Sequence, residues 1–248
     1  MSDAQFAFNY RYFVGHAAAC GGRVLDYGCG IAQTVTLGRG RGLDIWGADT
    51  FAGYYAGWAD SVNPDVRDRI RKIENGRTEY PDDHFDLVMS NQVLEHVTDP
   101  EEVIADIHRM VKPGGHFIAA FPVIETWYEG HIGLYFAHHF KPGTTLRGIY
   151  FDLSHRFGFG LYREGRTRTE WVKMSEKTLD EACFYYPSRR IISAMERTFG
   201  EPVEDMSVDY MRTRLGSLAR HVPSAADALL RLIYHKRAGE IVTVRKVK

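Results

Sequence analysis

Residues 23–30, RVLDYGCG, constrain the fold more than any other stretch of this chain. A short apolar run suits a strand buried on both faces. Gly28 and Gly30, directly after it, permit a sharp turn and let another molecule approach the backbone where a side chain would collide. In open α/β sheets, the carboxyl end of the first strand is where ligands bind. The rest of the chain continues this pattern. Strands are expected at 43–49 (LDIWGAD), 70–73, 85–89 (FDLVM) and 116–121 (HFIAAF), with crossover helices between them.

The clearest helix begins at Asp99, a capping residue followed by Pro100 and, three positions on, by Glu102. Val103, Ile104, Ile107, Met110 and Val111 form its apolar stripe, and Lys112-Pro113-Gly114-Gly115 ends it. After Phe121 the alternation breaks. Residues 122–187 are dense in aromatics, histidines and glycines without a long periodic helix, a pattern expected of a functional segment or a lid. Regular structure resumes with a helix from Ser188 (Ile191, Ile192, Met195, Phe199, then Gly200), a strand near Val203–Tyr210, a helix opened by Pro223-Ser224 and a last strand at 240–247, EIVTVRKV. The expected fold is a single α/β domain over residues 1–248. Its doubly wound, mostly parallel seven-stranded sheet carries helices on both faces, with a core at 20–122 and 188–248, a lid at 123–187 after the fifth strand, and an N-terminal cover at 1–19.

At 248 residues, with 44% hydrophobic and 25% charged residues, the chain has ordinary globular composition. Lys and Arg total 31 against 32 Asp and Glu, so no field gathers nucleic acid or an anionic membrane. Cys20, Cys29 and Cys183 are odd in number and scattered, which fits neither a disulfide framework nor a zinc cluster. With no apolar leader at the N-terminus, a cytoplasmic protein is expected.

Gln33 stands where a dinucleotide fold wants its third glycine, and Asp26 precedes the glycines by two. The motif instead resembles the first motif of the class I S-adenosylmethionine-dependent methyltransferases. The resemblance extends through YPDDHFDLV (Tyr80–Val88), SNQVLEHV (Ser90–Val97), KPGGHFIAAFP and the terminal GEIVTVRKVK, over roughly residues 20–122 and 188–248. It implies S-adenosylmethionine as cofactor and S-adenosylhomocysteine as product. The cofactor would be held by Asp26, Gly28, Cys29, Gly30, Asp49, Thr50, Glu74, Asn91 and Gln92. Of these, Asp49 would accept hydrogen bonds from the ribose hydroxyls and Glu74 would meet the adenine amino group, with Asn75 as the alternative. Arg11, beside Tyr10 and Tyr12, is a candidate partner for the methionine carboxylate.

Methyl transfer asks the protein for positioning, exclusion of water and, with a hydroxyl acceptor, removal of a proton. The lid offers His131, His138 and His139 as candidate bases, with Glu129 nearby, because histidine titrates near neutrality. No metal is expected, since H-x6-H-H is not a ligand spacing and the lid histidines have no cysteine partners. Ser90-Asn91 also stands where catechol-type relatives carry an acid pair for magnesium. The expected activity is methyl transfer to a small-molecule acceptor, a hydroxyl of a sugar or secondary metabolite, without nucleic-acid or membrane partners. A homodimer, an N- or C-methyltransferase and a catalytically inactive S-adenosylmethionine-binding protein are the alternatives. His96 is read as packing beneath the site.

Overall fold

The computed structural model describes residues 3–247. Nine strands follow the chain order: β1 (Val24–Tyr27), β2 (Ile45–Asp49), β3 (Ile70–Lys72), β4 (Phe85–Asn91), β5 (Val111–Phe121), β6 (Tyr128–Glu129), β7 (Leu134–Tyr135), β8 (Glu204–Asp205) and β9 (Glu240–Arg245). Seven of them form one sheet in the order β3-β2-β1-β4-β5-β9-β8, and β6 and β7 form a separate hairpin. β1 to β5 run parallel, with Val24 opposite both Ile45 and Leu87, while β9 lies antiparallel to β5, with Ile118 opposite Thr243. The sheet order reverses between β1 and β4, and that switch point opens a crevice at the strands' carboxyl ends.

Alternate residues of each strand enter different cores. Leu25, Val88, Phe117 and Ala119 pack on one face against α3 (Pro100–Met110) and α6 (Ser188–Phe199). Val24, Leu87, Met89 and Ile118 pack on the other against α1 (Asp3–Cys20), α2 (Gln33–Arg39), α7 (Ser207–Leu215) and α8 (Asp227–Ala238). The Asp99 carboxylate accepts the Glu102 N–H at 3.2 Å as the cap of α3, and Val103, Ile104, Ile107 and Met110 form its buried stripe. Gly200, at φ 78°, closes α6 in the left-handed conformation that glycine favours. Among the described residues, no helix is long and apolar enough to cross a membrane.

Three expected elements differ. β5 begins at Val111 rather than at 116, because Val111, expected on the stripe of the preceding helix, pairs with Phe85 of β4. The strand near Val203–Tyr210 is only Glu204–Asp205, because the Asp205 carboxylate accepts the Ser207 N–H at 2.6 Å and turns the chain into α7. The lid also contains two regular helices, α4 (Thr145–Arg156) and α5 (Arg168–Glu181). A reciprocal capping box between Thr167 and Glu170 starts α5. These helices enclose the lid's own core of Ile132, Leu134, Phe151, Trp171, Leu179 and Cys183. Trp127, Tyr135 and Phe136 stay about half exposed.

His235 of α8 joins the antiparallel edge of the sheet. Its Nε2 lies 2.9 Å from Asp205 of β8 and its Nδ1 3.0 Å from Glu240 of β9, with Arg231 also 3.3 Å from Asp205. The hydrogen bonds that His235 donates to Asp205 and Glu240 outweigh partial burial and raise it from 6.5 to about 9. Burial would raise Asp205, but its bonds with His235 and Ser207 pull it from 3.8 to about 2. A raised histidine contributes its full stability below pH 6.5 and loses it as pH climbs through about 9. The depressed Asp205 contributes fully above 3.8 and loses that contribution as pH falls through about 2. The urea midpoint is therefore expected to fall between pH 6.5 and 9 more steeply in the wild type than in His235→Gln. Parallel curves would show that the edge is held otherwise.

Candidate cofactor and acceptor site

The glycine turn forms one wall of a cavity of about 510 Å³, within the range of small-ligand sites. Gly28 has φ 75° and Gly30 φ 54°, and a Cβ on them would meet Val93 Cγ2 at 2.2 Å and Trp58 Cζ3 at 2.7 Å. Both positions therefore require glycine. Asp49, at the end of β2, faces the same cavity and ties the turn in place. Its two carboxylate oxygens accept N–H bonds from Gly30 at 2.8 Å and Phe51 at 3.0 Å. Thr50, Ile73, Gly76, Gln92, Val93 and His96 continue the wall.

Of the residues expected at the cofactor, Gly28, Asp49, Thr50 and Gln92 line this cavity, and Gly30 shapes it through Asp49 and Trp58. Asp26 is buried beneath the turn, where burial first of all raises it to about 7. Cys29 points back into the sheet, where a Cβ on Gly47 would meet its Sγ at 2.9 Å. Asn91 accepts a hydrogen bond from Asn9 of α1 at 3.3 Å. Glu74 turns away, largely exposed and paired with Lys72 at 3.1 Å, so that its neighbours Ile73 and Gly76 form the wall instead. Asn75 sits at φ 51° in the turn between them. Arg11 is exposed. Burial, and after it the charge of Asp26, raise Tyr10 of α1 above its ordinary value.

Gln92, at φ 59°, ends β4 in a left-handed turn and borders two spaces. On one side lies the glycine-turn cavity, and on the other a small recess lined by Asn9, Tyr128, His131, Tyr210 and Arg237 among others. Of the three expected lid bases, His131 faces this recess. Its Nδ1 lies 2.6 Å from Glu129 Oε1, which also accepts the Tyr185 hydroxyl at 2.6 Å, while Glu129 Oε2 accepts the Ile132 N–H at 2.7 Å. Burial would raise Glu129, but the charge and hydrogen bonds of His131 hold its carboxyl at about 2. Burial would likewise lower His131, yet Glu129 holds it above its ordinary value.

The structure takes His138 and His139 elsewhere. Phe136, at φ 57°, turns the following residues so that His139 Nε2 meets the Thr126 carbonyl at 3.2 Å. His138 lies between His139 and Tyr185, with ring centroids 4.4 and 4.5 Å away. Neither lines the cavity or the recess.

The end of the lid is laced to the segment after β4, a juxtaposition that no sequence spacing announces. The Phe184 N–H donates to the Glu95 carbonyl at 2.6 Å, the Tyr186 hydroxyl donates to the Val97 carbonyl at 2.9 Å, and His96 Nδ1 bonds the Ala182 carbonyl. Glu95 is fully buried, and burial raises it to about 7. His96 is lowered to about 4, first by burial and then by the charge of His131. The two imidazole rings meet edge to face at 5.0 Å.

The profile of a family described as a methyltransferase domain matches residues 9–198. The ubiquinone biosynthesis O-methyltransferase of Pseudomonas syringae pv. tomato is 37% identical over 105 residues, 40% of this chain and 44% of that protein. Its counterpart in Chromobacterium violaceum is 35% identical over 106 residues, with the same shares. The chain thus spans less than half the length of the curated relatives it matches. An S-adenosylmethionine dependent methyltransferase from Mesorhizobium loti superposes with a TM-score of 0.51 at 18% identity over 91% of both chains. A geranyl diphosphate methyltransferase with sinefungin gives 0.52 at 15% identity, over 96% of this chain and 77% of that one. At these identities the likeness establishes the fold, a seven-stranded class I arrangement.

Proposed function

The chain belongs to the methyltransferase-domain family, and from that premise we propose that it carries the methyl group of S-adenosylmethionine to a hydroxyl oxygen of a small-molecule acceptor. The cofactor supplies an activated methyl on a sulfonium that leaves as a neutral sulfide. The residues that would hold it fit: a turn whose glycines admit no Cβ, an acid at the end of β2, and a nucleoside-sized cavity between them. Gly28 and Gly30 open the backbone to the ligand, Asp49 accepts from the ribose, and Gln92 and Val93 flank the methionine portion.

One observation carries the choice of a hydroxyl acceptor. His131 is held by a buried carboxylate at the wall next to Gln92 and lines the recess in which the acceptor would sit. Glu129 orients the ring and stabilises the imidazolium, and His131, after releasing its own proton to solvent, takes the proton of the hydroxyl. The lid excludes water from that exchange. The name of the O-methyltransferase relatives agrees with an oxygen acceptor. Calorimetry is expected to show S-adenosylhomocysteine binding with no heat from NAD, and a mass-spectrometric screen is expected to find hydroxylated acceptors gaining one methyl. Binding of NAD with S-adenosylhomocysteine ignored would reject the cofactor, and gains confined to amines would reject the oxygen acceptor.

A further inference from the structure

His96 from the segment after β4 and His131 and Cys183 from opposite ends of the lid present ligand atoms that all lie within 4.8 Å of one another. These are two imidazoles and a thiol, the donor types of tetrahedral zinc sites. The imidazoles are oriented as metal-bound histidines are. Nδ1 of His96 meets the Ala182 carbonyl and Nδ1 of His131 the Glu129 carboxylate, the kind of outer contact that orients a metal-bound histidine. A second, independent observation points to the same place. Glu95 is 1% exposed, neither of its carboxylate oxygens has a hydrogen-bond partner, and Oε1 lies 3.8 Å from Nε2 of His96. A buried carboxylate without a hydrogen bond is costly, and a nearby cation offsets that cost.

We propose that His96, His131 and Cys183 form a zinc site, with Glu95 as the adjacent compensating carboxylate and a fourth position open toward Gln92. Three protein ligands with one open position are the arrangement of catalytic zinc. His96 lines the glycine-turn cavity and His131 the recess beside it, so the cation stands where the two spaces meet. Coordination displaces two protons to solvent, that of the Cys183 thiol and the one that Glu129 keeps on His131. The role of the cation, though not its binding, rests on the methyl-transfer reading. With His131 engaged, the acceptor hydroxyl approaches the open position, its pKa falls, and its proton passes to Glu95 while the oxygen takes the methyl and the sulfide departs. His131 then acts on that proton through the cation rather than by direct contact.

The test uses the full chain, stripped with chelator and titrated with cobalt(II). One cobalt per chain is expected, with visible bands of a tetrahedral ion and a near-ultraviolet thiolate-to-cobalt band, all displaced by zinc. Cys183→Ser should lose the thiolate band, and Glu129→Gln should keep it while weakening affinity by about 10–100-fold. Wild-type protein that binds no stoichiometric cobalt, or a thiolate band that survives in Cys183→Ser, overturns the site. Calorimetry of S-adenosylhomocysteine on the stripped protein separates the two readings. If it binds and methyl transfer persists without metal, the catalytic role of the cation falls and the methyltransferase stands, while the cobalt bands alone decide the site.

Discussion

His131→Gln is expected to lower methyl transfer by about a hundredfold or more, with S-adenosylhomocysteine affinity nearly unchanged. Glutamine still offers an N–H to Glu129 and fills similar space, but it has no nitrogen lone pair for a proton or a cation. The residue lines the recess beyond Gln92 and not the glycine-turn cavity, so its loss should appear in turnover rather than in cofactor binding. Thermal melting separates the alternative, because a merely structural histidine would lower activity together with the melting temperature. A folded variant with near-wild-type turnover would remove His131 from the chemistry, and His138 and His139, bonded and stacked elsewhere, would not replace it.

The second large effect concerns the cofactor. Asp49→Ala is expected to weaken S-adenosylhomocysteine binding by about 2–3 kcal/mol, roughly 30–150-fold in the dissociation constant. Two losses contribute: the acceptor for the ribose hydroxyls and the carboxylate that fixes the Gly30 and Phe51 N–H groups. Asp49→Asn keeps the shape and one acceptor oxygen, so its affinity should fall between those of the wild type and the alanine variant. An unchanged dissociation constant for Asp49→Ala would show that another acid serves the ribose.

What was legible in the sequence followed from burial and local chemistry. β1, β4 and β5 are apolar runs because both faces of a parallel sheet are covered, and α3 shows both its cap and its stripe. Gly28 and Gly30 were readable because only glycine fits where they stand. The lid helices were not. The buried positions of α5 are Trp171, Ser175, Thr178 and Leu179, so two of four are polar and no apolar stripe appears. The Thr167–Glu170 capping box was the readable signal there. Val203–Tyr210 alternates like a strand, yet the Asp205 bond to Ser207 starts a helix instead. At the site, adjacent Glu95 and His96 were visible, but Cys183, 87 positions beyond His96, joins them only through the lacing of residues 182–186 onto 95–97. No spacing rule spans that distance.

The lid's core is built from residues that take no part in the two cores of the sheet. Selection acting on Trp171, Phe151 or Leu179 is thereby uncoupled from selection acting on the glycine turn and the strands beneath it. On the proposed function, in which the lid serves the acceptor, that half can be exchanged while the cofactor half stays constant, provided a replacement still presents partners to residues 95–97. On the same reading, a graft of residues 124–185 would carry the lid's core over whole and leave both cores of the sheet in place.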